Sequence, residues 1–350
     1  MEYKFSKPAP EGWITDTFKN MPYRPLGDSG LWVSNIGLGT LPFGFPEQGD
    51  GSRVDEKNAH LIFDRAIELG VTFWDTANRY TQGTGNTERV IGSWLKRNSG
   101  QRRNIVLATK VFAQMDGSTP NHSRLSRGAI LDSVYACLDR LQVDYIDLLY
   151  FHYFDPFTPV EESLSAIEDL VYRDLIRYFG VSNFSVDQLL QYKMVEGNLS
   201  LRCKIRAVQN QFDIINGQCP WRPNVLEQVS GWGMSLIPWS PLARGLLSDR
   251  YPDLKQADPG DWRYDGGHLT SGLNASVEQK LSKLKALANE WQIQLNQLAI
   301  AYMLTLPGMG SVIASVSSVK QLESNAAAGS VGLSKSQLLQ INENEILNPN

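Results

Sequence analysis

Asp75, Tyr80, Lys110 and His152 are the residues of this 350-residue chain whose types and setting suit proton transfer. Three of them close a short run rich in apolar, aromatic or β-branched residues: "VTFWD" (71 to 75), "IVLATK" (105 to 110) and "YIDLLYFH" (145 to 152). Tyr80 follows Asp75 closely, in "FWDTANRY". A phenol ordinarily titrates near pH ~10, and a neighbouring ammonium stabilises the phenolate and lowers that value. Asp75 would keep Lys110 charged and oriented, while a neutral His152 imidazole hydrogen-bonds an incoming carbonyl oxygen. Singly, each residue has an ordinary structural explanation; gathered at one rim, they make an acid and an electrophilic clamp aimed at one oxygen. Such a site protonates an alkoxide as it forms and needs a hydride source, which no side chain provides. A nicotinamide cofactor is implied, with no metal.

The elements that must gather these residues recur along the chain. Short apolar runs lie at 34–39, 71–75, 105–110, 145–152, 177–182, 206–211, 235–239 and 311–314, mostly followed by stretches of helical periodicity. This is the pattern of βα units around a parallel sheet, and eight of them without a linker predict a closed (β/α)8 TIM barrel. Strand ends then share one mouth, whatever their separation in sequence. Between the first two strands, Ala59, Ile62, Phe63, Ala66 and Ile67 fall on one helical face before Gly70. A later helix carries Ile130, Val134, Leu138 and Leu141 on one stripe. Thr158 with Pro159 and Glu161 reads as a capping box, and Ser185/Gln188, Ser276/Gln279 and Ser318/Gln321 repeat its spacing.

Residues 1–22 read as a leading arm, and 23–350 as one barrel domain. Within it, 23–35 is expected to form a β-hairpin around "GDSG" over the barrel floor, and 248–274 a long rim loop rich in Gly, Pro and Asp. The usual dinucleotide fingerprint is missing: Gly37 and Gly39 stand in "GLGTLPFG", but Pro42 occupies the third glycine's place, so a Rossmann unit is rejected.

Composition bounds the function classes. With 42% hydrophobic and 20% charged residues and a net charge of −4, neither disorder nor nucleic-acid binding is expected. No stretch approaches a membrane span or a secretory leader, and Cys137, Cys203 and Cys219 form no CxxC pair, so a cytoplasmic protein with reduced thiols is expected. Oligomeric state is not encoded in these patterns.

Taken together, "IGLGT", "FWDTANRY" with its glycine-rich loop and Glu88, "ATKV", "DYIDLLYFH", "YFGVSNF", "VQNQF", "PWSPLARGLL" and "SVSSVKQLESN" resemble the aldo-keto reductases over residues 23 to 340. That resemblance implies a (β/α)8 barrel binding an extended nicotinamide dinucleotide, usually NADPH, to reduce an aldehyde or ketone. Tyr80 becomes the general acid/base, Lys110 and Asp75 tune it, and His152 orients the carbonyl. Gly39, Thr40 and Asp75 join the cofactor set by the same resemblance. Ser182, Asn183 and Gln211 are expected to hold the carboxamide, and Trp239 to stack on the ring. Ser240, Leu242, Gly245, Ser248 and Arg250 would run along the pyrophosphate, with Ser317, Gln321 and Asn325 at the adenosine end.

One departure concerns cofactor choice. Ser315 stands where many members carry a basic residue that grips the 2′-phosphate, leaving Lys320 and Arg244 as candidates, so NADH is the alternative to NADPH. For the substrate, Phe43, Phe112, Tyr153, Phe154 and Trp262 are expected around the mouth. Two other readings stand beside reduction. Potassium-channel β-subunits look like this family, which suggests a redox-sensing module; Lys110 could instead act as a Schiff-base nucleophile.

Overall fold

The computed structural model describes residues 16–115, 117–198, 204–248 and 273–343. Eight strands run parallel around one ring: β4 (Ile36–Gly39), β5 (Phe73–Asp75), β6 (Val106–Val111), β7 (Ile146–Phe151), β8 (Ile176–Ser182), β9 (Ile205–Asp213), β11 (Ser235–Trp239) and β12 (Val312–Ser315). From β4 to β11 each of the eight pairs with the next, and β12 returns to pair with β4. Between β11 and β12 the ring closes through one bridge, Leu236 to Met309. Leu236 N–H donates to Gly308 at 2.8 Å, and Gly310 N–H to Leu236 at 2.7 Å. The expected (β/α)8 barrel is thus the observed fold, with a short antiparallel addition, β10 (Gly217–Gln218), beside β9.

Side chains alternate along a strand, so residues two apart point the same way. Phe73, Ala108, Leu148, Tyr150, Ala207, Ile237 and Ile313 form one buried cluster in the barrel's interior. Two residues further on from Phe73, Ala108, Tyr150 and Ala207 stand Asp75, Lys110, His152 and Gln209. Alternation therefore stacks the polar layer directly on the apolar one. Gly180 makes room for this filling: a Cβ there would lie 2.6 Å from Tyr150 Cε1 and 2.8 Å from the Ala207 carbonyl.

The antiparallel sheet of β1 (Thr17–Phe18), β2 (Met21–Pro25) and β3 (Trp32–Ser34) occupies the opposite end. Leu26 and Val33 are fully buried and join the interior cluster, while Gly27 N–H donates to Ser235 Oγ at 2.8 Å, at the start of β11. The hairpin expected over the floor is there and plugs it.

Helices pack the outer face. On Glu56–Glu68, Ala59, Ile62, Phe63 and Ala66 are buried, and Phe63 stacks on Trp74 with ring centroids 4.6 Å apart. Gly70, at φ +72°, lets the chain leave that helix. Ile130, Val134, Leu138 and Leu141 are buried as the sequence stripe requires.

The capping boxes divide. Ser185 and Gln188 exchange both bonds, at 3.0 and 3.3 Å. Ser318 caps Gln321 N–H, but the Gln321 carbonyl oxygen turns to Ser317. At 158 and 276 the expectation fails. Thr158 donates instead to Asp155 at 2.6 Å and Pro159 is itself the cap residue, while Asn274 takes the cap position ahead of Ser276. A nearer acceptor or an earlier helix start outcompetes the motif.

Candidate active site

Asp75 is the last residue of β5, Lys110 lies one short of the end of β6, and His152 follows β7 directly. Tyr80 opens a single irregular turn, Tyr80–Gly83, in which Thr81 and Gln82 have φ of 56° and 57°. Lys110 Nζ donates to Asp75 Oδ2 at 2.6 Å, to the Thr76 carbonyl at 2.8 Å and to Tyr80 Oη at 3.0 Å. The Tyr80 and His152 rings meet edge to face, 6.2 Å apart at 79°. All four residues gathered by the sequence reading meet at one mouth.

Burial sets the protonation states. The Tyr80 phenol is pushed well above its ordinary value, chiefly by burial and then by the Asp75 charge. The direction is opposite to the expected acidification of the phenol: burial and the Asp75 charge outweigh the opposing Arg79 charge, and the phenol stays protonated at neutral pH. Lys110 is lowered by burial, with Asp75 opposing. His152 is driven well below the usual imidazole range by burial, with Lys110 and Arg79 adding to it, so its ring is neutral.

Gln209 completes the layer and was missed in the sequence. Its Nε2 donates to Asp75 Oδ1 at 2.8 Å across the barrel, from a strand four places round the ring. Gln211, the residue expected at the cofactor amide, donates to Asp213 Oδ2 at 2.8 Å. Strand alternation from Ala207 was the signal available. Arg140 was also missed. Glu88 accepts from Thr109 Oγ1 at 2.6 Å and from Arg140 Nε at 2.7 Å, in a buried pair. Arg140 lies beneath Gly85, where an added Cβ would be 2.5 Å from Cδ, so the pair underpins the loop that follows Tyr80.

The remaining expected residues fall into groups. Ser182 Oγ donates to the Gln209 carbonyl at 2.8 Å, and Asn183, at φ +62°, donates to the His152 carbonyl and to Ser182 Oγ, each at 3.1 Å. Trp239 is the register partner of Gln211, and its Nε1 is buried without a hydrogen-bond partner, as is His152 Nδ1. From Ser240 to Ser248 the chain forms a compact turn, with Ser240, Arg244 and Gly245 at positive φ, Leu242 half-buried and Arg244 exposed. Ser248 Oγ closes on the Gly245 carbonyl at 2.7 Å. Ser317 and Gln321 hydrogen-bond each other at the rim. Ser315 and Lys320 are exposed.

Other expected residues are also engaged within the protein. Thr40 is fully buried with Oγ1 on the Asp75 carbonyl at 2.8 Å, and the neighbouring Gly39 is packed against Ser315. Asn325 is buried and accepts from Asn296 Nδ2 at 2.8 Å, which turns it into the protein. Phe43 packs on Phe63, and Phe154 on Phe184 and Tyr192; Phe112 and Tyr153 remain near the mouth. Arg250, Trp262, Cys203 and most of 248–274 lie outside the described residues. Among the described residues no His, Cys, Asp and Glu cluster suits a metal ion, and no helix is long and apolar enough to cross a membrane.

A barrel whose mouth carries this lysine-bridged acid and phenol agrees with comparison to known proteins. The aldo/keto reductase family model matches residues 35–346, and the chain belongs to that family of oxidoreductases, which generally use nicotinamide cofactors. It is 32% identical to a probable voltage-gated potassium channel subunit beta of Arabidopsis thaliana, over 88% of this chain and 91% of that one. It is also 32% identical to an aldo-keto reductase of Alternaria alternata, over 80% of each chain, and 30% identical to one of Strobilurus tenacellus, over 92% of this chain and 91% of that one.

Proposed function

We propose that this protein reduces an aldehyde or ketone to the alcohol, reversibly, with NADPH/NADP+ as its dinucleotide and NADH as the alternative donor. The observation that carries this reading is Lys110 Nζ, held between Asp75 at 2.6 Å and Tyr80 Oη at 3.0 Å in a buried layer. Bound at this mouth, the nicotinamide supplies the hydride. Tyr80 stays protonated until charge develops on the carbonyl oxygen, then gives up its proton as general acid. Lys110 stabilises the phenolate left behind, and Asp75, itself held by Gln209, keeps the ammonium in place. Neutral His152 can offer a hydrogen bond to the same oxygen and costs no buried charge.

Ser182 and Asn183 stand at the end of β8, beside the Trp239 end of the mouth, and suit the carboxamide end of the dinucleotide. The unpartnered Trp239 Nε1 fits a site completed by a ligand. Arg244 suits the phosphates, and Ser317 with Gln321 the adenosine end. With Ser315 in place of a basic residue, the exposed cations Arg244 and Lys320 are the groups suited to meet a 2′-phosphate. The free thiols Cys137 and Cys219 agree with a cytoplasmic setting.

The Schiff-base reading fits poorly, because three acceptors engage the Lys110 ammonium and leave no lone pair for a carbonyl carbon. The similarity to a channel β-subunit favours a second reading, a dinucleotide-binding regulatory module with little turnover. Titrating the purified protein with NADPH and NADH, then following nicotinamide absorbance over an aldehyde panel, separates the two. Turnover supports the reductase; tight dinucleotide binding with no turnover on any aldehyde supports the module.

A further inference from the structure

Arg79 immediately precedes Tyr80 and is exposed at the same mouth. Its guanidinium carbon lies 6.0 Å from the centre of the Tyr153 ring. Tyr153 in turn stacks on His152, 4.9 Å away and 10° from parallel, and packs edge-on against Phe112 at 5.5 Å. Arg79 thus stands one ring beyond the imidazole that would meet the carbonyl. Its charge is felt there, since it lowers the proton affinity of both Tyr80 and His152.

No described carboxylate satisfies this cation. Arg65, Arg102, Arg127 and Arg140 each pair with an Asp or Glu, whereas Arg79 makes no ion pair or side-chain hydrogen bond among the described residues. The described acids on neighbouring loops, Asp50 and Asp155, are already held by other donors. Asp50 accepts from Phe45 and Ser52 backbone amides and from Asn86, and Asp155 from Leu125, Phe157 and Thr158. Among the described residues a planar five-donor fork is therefore left open at the mouth, over an aromatic wall. One guanidinium matches the single charge and paired oxygens of a carboxylate.

Resting on the carbonyl-reductase reading, we propose that the substrate is an oxo acid, an aldehyde or ketone bearing a carboxylate that Arg79 binds while Tyr153 flanks the chain between the two groups. The carboxylate takes no part in the reaction: hydride adds to the carbonyl carbon, a proton to its oxygen, and the acid group is carried through unchanged.

The test compares kcat/KM for matched pairs, 4-carboxybenzaldehyde against 4-formylbenzamide and 4-oxobutanoate against butanal, in the intact protein with NADPH. At least one acid is expected to be preferred about tenfold or more, mainly through KM. Arg79→Gln should cut that acid-to-neutral ratio about tenfold, Arg79→Lys should restore part of it, and added salt should shrink it. Because the readout is a ratio within each variant, a general loss of activity does not imitate the effect. Ratios near one for both pairs, or a preference unmoved by Arg79→Gln, overturn this inference and leave the reductase intact. A wild-type protein that reduces none of the four compounds with either NADPH or NADH overturns the parent reading and this inference with it.

Discussion

The two ends of the barrel are built from the same strands on the same face, yet they are opposite in chemistry. At the floor, Leu26 and Val33 cap a cluster of Phe73, Ala108, Leu148 and Ile237, where close packing is the only interaction. One alternation higher, Asp75, Lys110 and Gln209 are as deeply buried and are joined entirely by hydrogen bonds. Depth alone therefore does not define a core. The apolar layer stabilises the ring, and the ring supplies the low-dielectric setting that makes the polar layer reactive.

The sharpest way to break this division is Tyr80→Phe. It should lower kcat/KM for aldehyde reduction by ~10²–10⁴-fold, the usual contribution of a positioned acid, with dinucleotide affinity and melting temperature little changed. Steady-state kinetics and a binding titration check it, and full turnover in this variant would remove Tyr80 from the chemistry. Leu148→Ala at the floor should do the converse. It should cost ~2–5 kcal/mol of stability by leaving a cavity, while the folded fraction keeps its kcat, as read by denaturant unfolding beside activity.

Gln209→Leu should fall between the two layers. Stranding Asp75 Oδ1 costs ~1–3 kcal/mol, against about 1 kcal/mol or less for Gln211→Leu, and only the former should also slow turnover. The smallest effect concerns pH. His152 has its proton affinity lowered on folding, so the unfolded chain binds more protons below its ordinary pKa. Its contribution is therefore flat above about pH 6.5 and destabilising as pH falls from there towards the lowered folded value. Melting temperature should decline less steeply between about pH 7 and 5 in His152→Gln than in the parent protein.

Much of this was legible in the sequence. All eight barrel strands lie within two residues of the expected starts, because short β-branched and aromatic runs between helical stretches leave little choice of element. Asp75, Lys110 and His152 were legible for the same reason, since each lies within one residue of a strand's end, and Tyr80 followed from its short distance beyond Asp75. Competition between partners was not legible. Gln209 and Gln211 share a face, and only the folded ring shows that one reaches Asp75 while the other turns to Asp213. Thr158 had a helix to cap and found Asp155 nearer. The phenol's shift came out opposite in sign because the sequence supplied the ammonium as a neighbour without weighing desolvation and the carboxylate behind it.

The single Leu236–Met309 bridge leaves the seam between β11 and the segment leading into β12 without a ladder. Elsewhere a strand is laced to its neighbour along a ladder; here the hoop is fastened at one rivet, low on the wall. The turn that starts at Ser240 rises from one side of that seam and the segment with Ser317 from the other. A small hinge-like spreading there would widen the gap between these two segments while leaving Asp75, Lys110 and His152 undisturbed on the far strands.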